Sequence, residues 1–158
     1  MWRVPADSRP AVAQVHMLDP DDPRVGVALD VMAALRDQLD RTELEARYRA
    51  ACDEGYRLAA VFAGDDCLAV AGFRVSTNLH LGRNLYIDDL VTSPAERSSG
   101  YGHLLHEWLV RHARAAGCAV LHLDSGTQRT GAHRFYLREG HVISAFHFLR
   151  PLGPVQST

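Results

Sequence analysis

The sequence predicts an α/β fold in which a mixed sheet is covered by helices, and three observations predict it. Hydrophobic spacing switches repeatedly between the two-residue period of strands and the 3.6-residue period of helices. In order, the elements read β-α-α-β-β-β-α-β-α-β, about six strands and about four helices. With 158 residues, 47% of them hydrophobic, the chain can bury one real core and is too short for two comfortable ones. A single domain over residues 1–158 is therefore expected. Residues 1–11 and 153–158, rich in Pro, Ser and polar side chains, are its loose ends.

Each element has a local reason. Ala11 to Leu18 is β-prone and is closed by the turn cluster Asp19-Pro20-Asp21-Asp22-Pro23. Val25, Ala28, Leu29, Met32, Leu35 and Leu39 then fall at helical spacing, and Thr42 with Glu45 has the form of a capping box for a second helix. Arg57 to Ala63 and Cys67 to Thr77 are strands joined by a Gly64-Asp65-Asp66 hairpin turn, and Asn84 to Thr92 is another strand. Tyr101, Leu104, Leu105, Trp108, Leu109 and His112 recur on one helical face between Gly100 and Ala116, and Gly117 stops that helix. Val120 to Asp124 is a short strand, Thr130 to Glu139 a helix ending at Gly140, and His141 to Leu149 a last strand.

Composition removes several function classes. A net charge of −2 and no Lys/Arg stripe argue against nucleic acid as a partner. All 17 basic residues are Arg, which carries no functional message. Cys52, Cys67 and Cys118 are far apart and odd in number, and read as free thiols in a reducing compartment. The start MWRVPADSRP lacks the apolar stretch of a secretory signal, and no run of about 20 apolar residues occurs. A soluble cytoplasmic protein without a membrane partner is expected.

The sharpest local feature is Arg97-Ser98-Ser99-Gly100-Tyr101-Gly102, between a strand and the strongly amphipathic helix. Glycines let backbone approach a ligand, the free N–H groups of a helix's first turn point the same way, and Arg97 adds positive charge. The loop suits a pyrophosphate. Neither Gly-Lys-Ser/Thr nor GxGxxG is present, so it is not one of the common nucleotide loops.

The stretch Leu90-Val91-Thr92-Ser93-Pro94-Ala95-Glu96 followed by that loop resembles the first signature of the GNAT superfamily of N-acetyltransferases. Ala132-His133-Arg134-Phe135-Tyr136-Leu137-Arg138-Glu139-Gly140-His141 resembles its second, at the expected distance downstream. The resemblance covers residues 11–150 in element order and 85–149 in motif detail, and is nearest to the small-molecule branch that includes aminoalkylphosphonate and polyamine acetyltransferases. It implies a mixed, mostly antiparallel sheet of about six to seven strands. It also implies acetyl-coenzyme A as co-substrate, held by Leu90, Val91 and Thr92, by Arg97, Ser98, Ser99, Gly100, Tyr101 and Gly102, and by Arg129, Ala132 and Tyr136. A homodimer is a further implication. The departures are Ser98 for the usual first Gly of the loop, Arg129 where many members have Asn, and His141 for the common Phe.

The chemistry so implied needs a base, because an alkylamine is mostly ammonium at neutral pH, and an acid for the departing thiolate. Asp88 and Asp89 sit consecutively in an apolar strand, where neighbours face opposite ways unless a bulge intervenes. A free Asp titrates near about 3.9, so a basic role needs burial or a like charge. By the resemblance, Asp88 is the catalytic base, Asp89 helps hold the amine, and Tyr136 protonates the thiolate. The alternative is that one Asp caps a turn or pairs with an Arg. His147 lines the acceptor pocket or packs in the core. Arg83, Arg134 and Arg138 are candidates for an anionic substituent. His103 and His106 share a helix face but have no carboxylate at ligand spacing, so no metal is expected. The expected reaction is direct transfer to a small primary amine. A protein lysine or amino-terminal acceptor, or a non-catalytic acetyl-coenzyme A sensor, are the alternatives.

Overall fold

A computed structural model describes residues 11–154, which leaves most of the expected loose ends outside the described residues. The elements are β1 (Gln14–Leu18), α1 (Val25–Ala33), α2 (Arg41–Asp53), β2 (Arg57–Ala63), β3 (Asp66–Asn78), β4 (Gly82–Thr92), a 3-10 turn (Pro94–Glu96), α3 (Tyr101–Ala115), β5 (Val120–Leu123) and α4 (Thr130–Arg138). The sheet runs β1-β2-β3-β4-β5, antiparallel as far as β4, with β5 parallel to β4. The α/β class, the mixed and mostly antiparallel sheet and the four α-helices are as expected. The strand count is five among the described residues, below the six to seven expected.

Strand alternation sorts the core into two layers. In β2, Leu58, Ala60 and Phe62 join a cluster with Leu29 and Met32 of α1 and Leu44 and Tyr48 of α2. Ala59 and Val61 face the opposite side and meet Leu105, Leu109 and Ala113 of α3. Because helices cover both faces, β2 reads as an almost unbroken apolar run.

Three expectations are corrected. α1 stops at Ala33, short of Leu39, because the amides of Leu35 and Arg36 both turn back to the Met32 carbonyl. Leu35 and Leu39 still pack on the core, from a loop. The cap of α2 is Asp40, whose extended backbone lets its carboxylate accept from the Glu43 amide at 2.8 Å, so the capping pair lies two residues before Thr42 and Glu45. His141 to Leu149 forms no strand: the segment has no ladder partner among the described residues, and its β-prone side chains lack the neighbours that reward a pleated conformation. No helix of the described residues is long and apolar enough to cross a membrane.

Candidate active site

β4 and β5 are paired only from Asn84 to Ile87 on one strand and from Val120 to Leu123 on the other. Beyond Ile87 the strands part, and the β5-side edge of β4 from Asp88 to Thr92 has no strand neighbour among the described residues. The parting coincides with a bulge. Gly72 of β3 stands opposite Asp89 and the next residue, Phe73, opposite Ile87, so Asp88 is the extra residue on β4. The strict alternation expected of Asp88 and Asp89 is thereby broken, and both line one cavity.

That cavity, of ≈ 360 Å³, lies between β4 and the α1–α2 region and is lined among others by Arg36, Tyr56, Arg74, Tyr86, Asp88 and Asp89. The two carboxylates are used differently. Asp89 accepts from Arg36 Nε at 2.8 Å through Oδ1 and from the Tyr56 hydroxyl at 2.8 Å through Oδ2. Asp88 Oδ1 pairs with Arg74 Nη2 at 3.1 Å, whereas its Oδ2 is buried with no hydrogen-bond partner among the described residues, as is Arg74 Nε. Burial pushes the Asp88 carboxyl above its ordinary range; Arg74 pulls it down and Asp89 adds to the rise. Tyr56 is pushed far up by burial and by the Asp89 charge, so it stays a donor.

The 97–102 loop forms a turn of unpaired amides. Ser98 has φ +67° and Gly100, the residue before α3, φ +85°. The amides of Arg97, Ser98, Gly100, Tyr101, Gly102 and His103 have no hydrogen-bond acceptor among the described residues. Arg97 is exposed beside them. Three of these amides are the first of α3, where the helix dipole adds positive potential, and the cradle suits an anion. Ser98 occupies the left-handed region that a glycine would enter without cost. Gly102 lets α3 sit close to the end of β4: an added Cβ would lie 3.2 Å from Thr92 Oγ1 and 3.6 Å from Phe135 of α4. Leu90, Val91 and Thr92 thus lead along an open strand edge from the carboxylates toward the loop.

On α4, Ala132 and Tyr136 are half-buried, and Arg129 is the residue before the helix. The Tyr136 phenol is raised above its ordinary pKa by burial, with Asp89 adding and Arg129 opposing, and its hydroxyl has no hydrogen-bond partner among the described residues. It is a protonated donor at neutral pH. His147 is mostly exposed, with Nδ1 3.3 Å from Asp124, which accepts from the Tyr86 hydroxyl at 2.8 Å; it reaches the cavity wall only through that relay.

The arginines at the cavity are Arg36, Arg47 and Arg74, which sequence reasoning missed. Arg83 instead donates to the Ala116 carbonyl, and Arg138 lies beside Glu139. Gly72, isolated in an apolar strand run, is the one sequence signal that could have announced the bulge. The expectation that His103 and His106 lack a carboxylate partner is also corrected: Glu139 Oε2 lies 2.8 Å from His103 Nδ1 and 3.7 Å from His106 Nδ1.

Residues 27–141 match the family model described as acetyltransferase (GNAT) family. The chain is 36% identical over 124 residues to an uncharacterised N-acetyltransferase, YhdJ, of Bacillus subtilis (strain 168), a match covering 77% of this chain and 87% of that one. It is 41% identical over 66 residues to the aminoalkylphosphonate N-acetyltransferase of Salmonella typhimurium, covering 42% of this chain and 43% of the relative. Among solved structures, an aminoglycoside N-acetyltransferase in complex with CoA superposes with a TM-score of 0.79 at 11% identity, covering 94% of this chain and 100% of that one, a likeness of fold.

Proposed function

Because this chain belongs to the GNAT family of acetyltransferases and is an acyltransferase, we propose that it moves the acetyl group of acetyl-coenzyme A to the primary amine of a small molecule, by direct attack in a ternary complex. The observation that carries this reading is the convergence on β4: a bulged, buried carboxylate with one free oxygen, an open strand edge, and a cradle of amides at the strand's far end. Acetyl-coenzyme A supplies the acyl group already activated as a thioester. The residues fit it: Arg97 and the free amides of Ser98, Gly100, Tyr101 and Gly102 would face its pyrophosphate, the edge of Leu90, Val91 and Thr92 would take the pantetheine amides as a neighbouring strand does, and Arg129 and Ala132 would flank it from α4.

Asp88 takes the ammonium proton through Oδ2, the oxygen that has no other partner among the described residues. Burial fits it for this by raising its basicity. Asp89 is held by Arg36 and Tyr56, so its part is to keep that wall of the cavity in place and to raise Asp88 by its charge. An amide of the β4 edge stabilises the negative charge that develops on the acyl oxygen. Tyr136 gives its proton to the departing thiolate.

The acceptor carries an anionic group as well as an amine. Arg74 Nε is a buried donor without a partner among the described residues, on the guanidinium that pairs with Asp88 Oδ1, and a zwitterion would satisfy both it and Asp88 Oδ2. The aminoalkylphosphonate activity of the Salmonella relative supports that class. A cavity of this size between helices and sheet favours a small molecule over a protein acceptor. Coenzyme thiol release with aminoalkylphosphonates, polyamines and a lysine peptide tests the reading. Highest kcat/KM is expected for the aminophosphonates, and a preference for the peptide contradicts it.

The reading extends to a homodimer in the cytoplasm. Val142, Ile143, Phe146, Phe148 and Leu149 are exposed on a segment with no strand partner among the described residues, and a second copy is the apolar surface that would cover them. Sedimentation equilibrium should give two chains; a monomer at tens of micromolar would remove the dimer without touching the chemistry. The free thiols suit a reducing compartment.

A further inference from the structure

Between α3 and the end of α4 lies a cluster that the acetyl-transfer reading does not use. His106, on the second turn of α3, is 1% exposed. Its Nε2 is 2.8 Å from Nε2 of His141, so of these two nitrogens one must donate and the other accept. Its other nitrogen, Nδ1, has no hydrogen-bond partner among the described residues and lies 3.7 Å from Glu139 Oε2, on a side chain that is itself 6% exposed. If Nε2 carries the proton, a buried lone pair faces a buried carboxylate, and both are acceptors. If Nδ1 carries it, the gap is too long for a hydrogen bond. Glu107 completes the setting: one donor atom each from His106, Glu107 and Glu139 lie within 4.8 Å of one another. Arg138 reaches only the other Glu139 oxygen, at 3.9 Å, from a largely exposed side chain.

We propose that His106 Nδ1, Glu107 and Glu139 bind one divalent transition-metal ion of the zinc class. Two carboxylates and an imidazole are a donor set for zinc, and three protein donors leave a fourth position for solvent. Zinc bonds of about 2.1 Å place tetrahedral donors about 3.4 Å apart, a contraction that rotation of the two Glu side chains supplies. The surroundings are those of a supported ligand set. His141 fixes the His106 ring so that Nδ1 is the free lone pair, and His103, with Nδ1 2.8 Å from Glu139 Oε2, holds that carboxylate from the solvent side. The ion fastens the first turns of α3 to the end of α4, through ligands more than 30 residues apart in sequence.

The test uses chelator-stripped full-length protein, titrated calorimetrically with zinc chloride and, in parallel, magnesium chloride. One equivalent of zinc should bind and raise Tm, and magnesium should not. Glu107→Gln and Glu139→Gln should each weaken zinc by more than about 100-fold, and His141→Ala by about 10- to 100-fold, as loss of a supporting partner does. Cobalt(II) should give visible absorption bands that the Glu variants lose. The half-exposed Glu107 site guards against a variant that fails to fold, and far-UV circular dichroism of each metal-free variant confirms the fold. No stoichiometric zinc, or unchanged affinity in a folded Glu107→Gln, overturns the proposal. The second outcome would mean that scattered surface histidines bind the ion, and the first that the cluster only shares a proton.

Discussion

Asp88→Asn removes one charge and almost no volume from the cavity wall, and its consequences for rate and stability should run in opposite directions. A positioned general base contributes about 10²- to 10⁴-fold, so turnover at pH 7 should fall by about 10²- to 10³-fold. The free fraction of an alkylamine with a pKa near about 10 rises tenfold per pH unit, so the deficit should close over about three units of rising pH. Stability follows from the shift of the Asp88 carboxyl. Its folded pKa is raised, so its charged form costs stability once pH exceeds the unfolded value of about 3.9, and the cost grows until pH passes the folded value. Asparagine carries no such cost. The lost pairing with Arg74, a side chain more than a third exposed, offsets only part of the gain, because burial is the largest cause of the shift. The variant should therefore be at least as stable as wild type at neutral pH. Thiol release with a slow amine between pH 6 and 10, beside thermal denaturation, measures both. A uniform loss of rate at every pH, or a clear loss of stability, would refute Asp88 as base and make it a structural partner of Arg74.

Tyr136→Phe should lower kcat by about 10²-fold and leave coenzyme affinity unchanged by calorimetry, since the hydroxyl has no structural partner to lose; equal loss of both would make it a packing residue. Ser98→Gly relieves a left-handed serine worth about 1 to 2 kcal/mol, less the entropy glycine adds to the unfolded chain, so denaturant melts should show a gain of about 0.5 to 1 kcal/mol with coenzyme binding retained. Gly72→Ala would drive a methyl into the buried Tyr56 phenol and displace the donor that holds Asp89, so stability should fall by about 1 to 3 kcal/mol and acceptor KM should rise together.

What could be read in the sequence follows the range of the interactions. The hairpin at Gly64, with φ +61°, and the stop of α3 at Gly117, with φ +75°, are local decisions written in a few neighbouring residues. So is α3, whose apolar face repeats over four turns. The turn of free amides before α3 was legible for the same reason, because glycine positions and a helix start lie within six residues. Whether Asp88 and Asp89 share a face was not, because the bulge is a mismatch between β4 and β3, fixed where Gly72 admits the Tyr56 ring. The engagement of Arg36 with Asp89 depends on α1 ending early and spans 53 residues. Glu139 meets His103 and His106 across 36 and 33 residues, beyond any spacing rule for ligands on one helix. The segment after His141 has the composition of a strand, but a strand needs a neighbour, and none lies beside it among the described residues.

Amide chemical-shift mapping of the nitrogen-15-labelled protein during titration with acetyl-coenzyme A tests the central claim most directly. The account predicts the largest changes at the amides of Arg97, Ser98, Gly100, Tyr101, Gly102 and His103, which have no acceptor among the described residues, and along the open β4 edge at residues 88–92, with smaller ones near Arg129 and Tyr136. Saturable changes confined to other surfaces, or none at millimolar coenzyme, would contradict it.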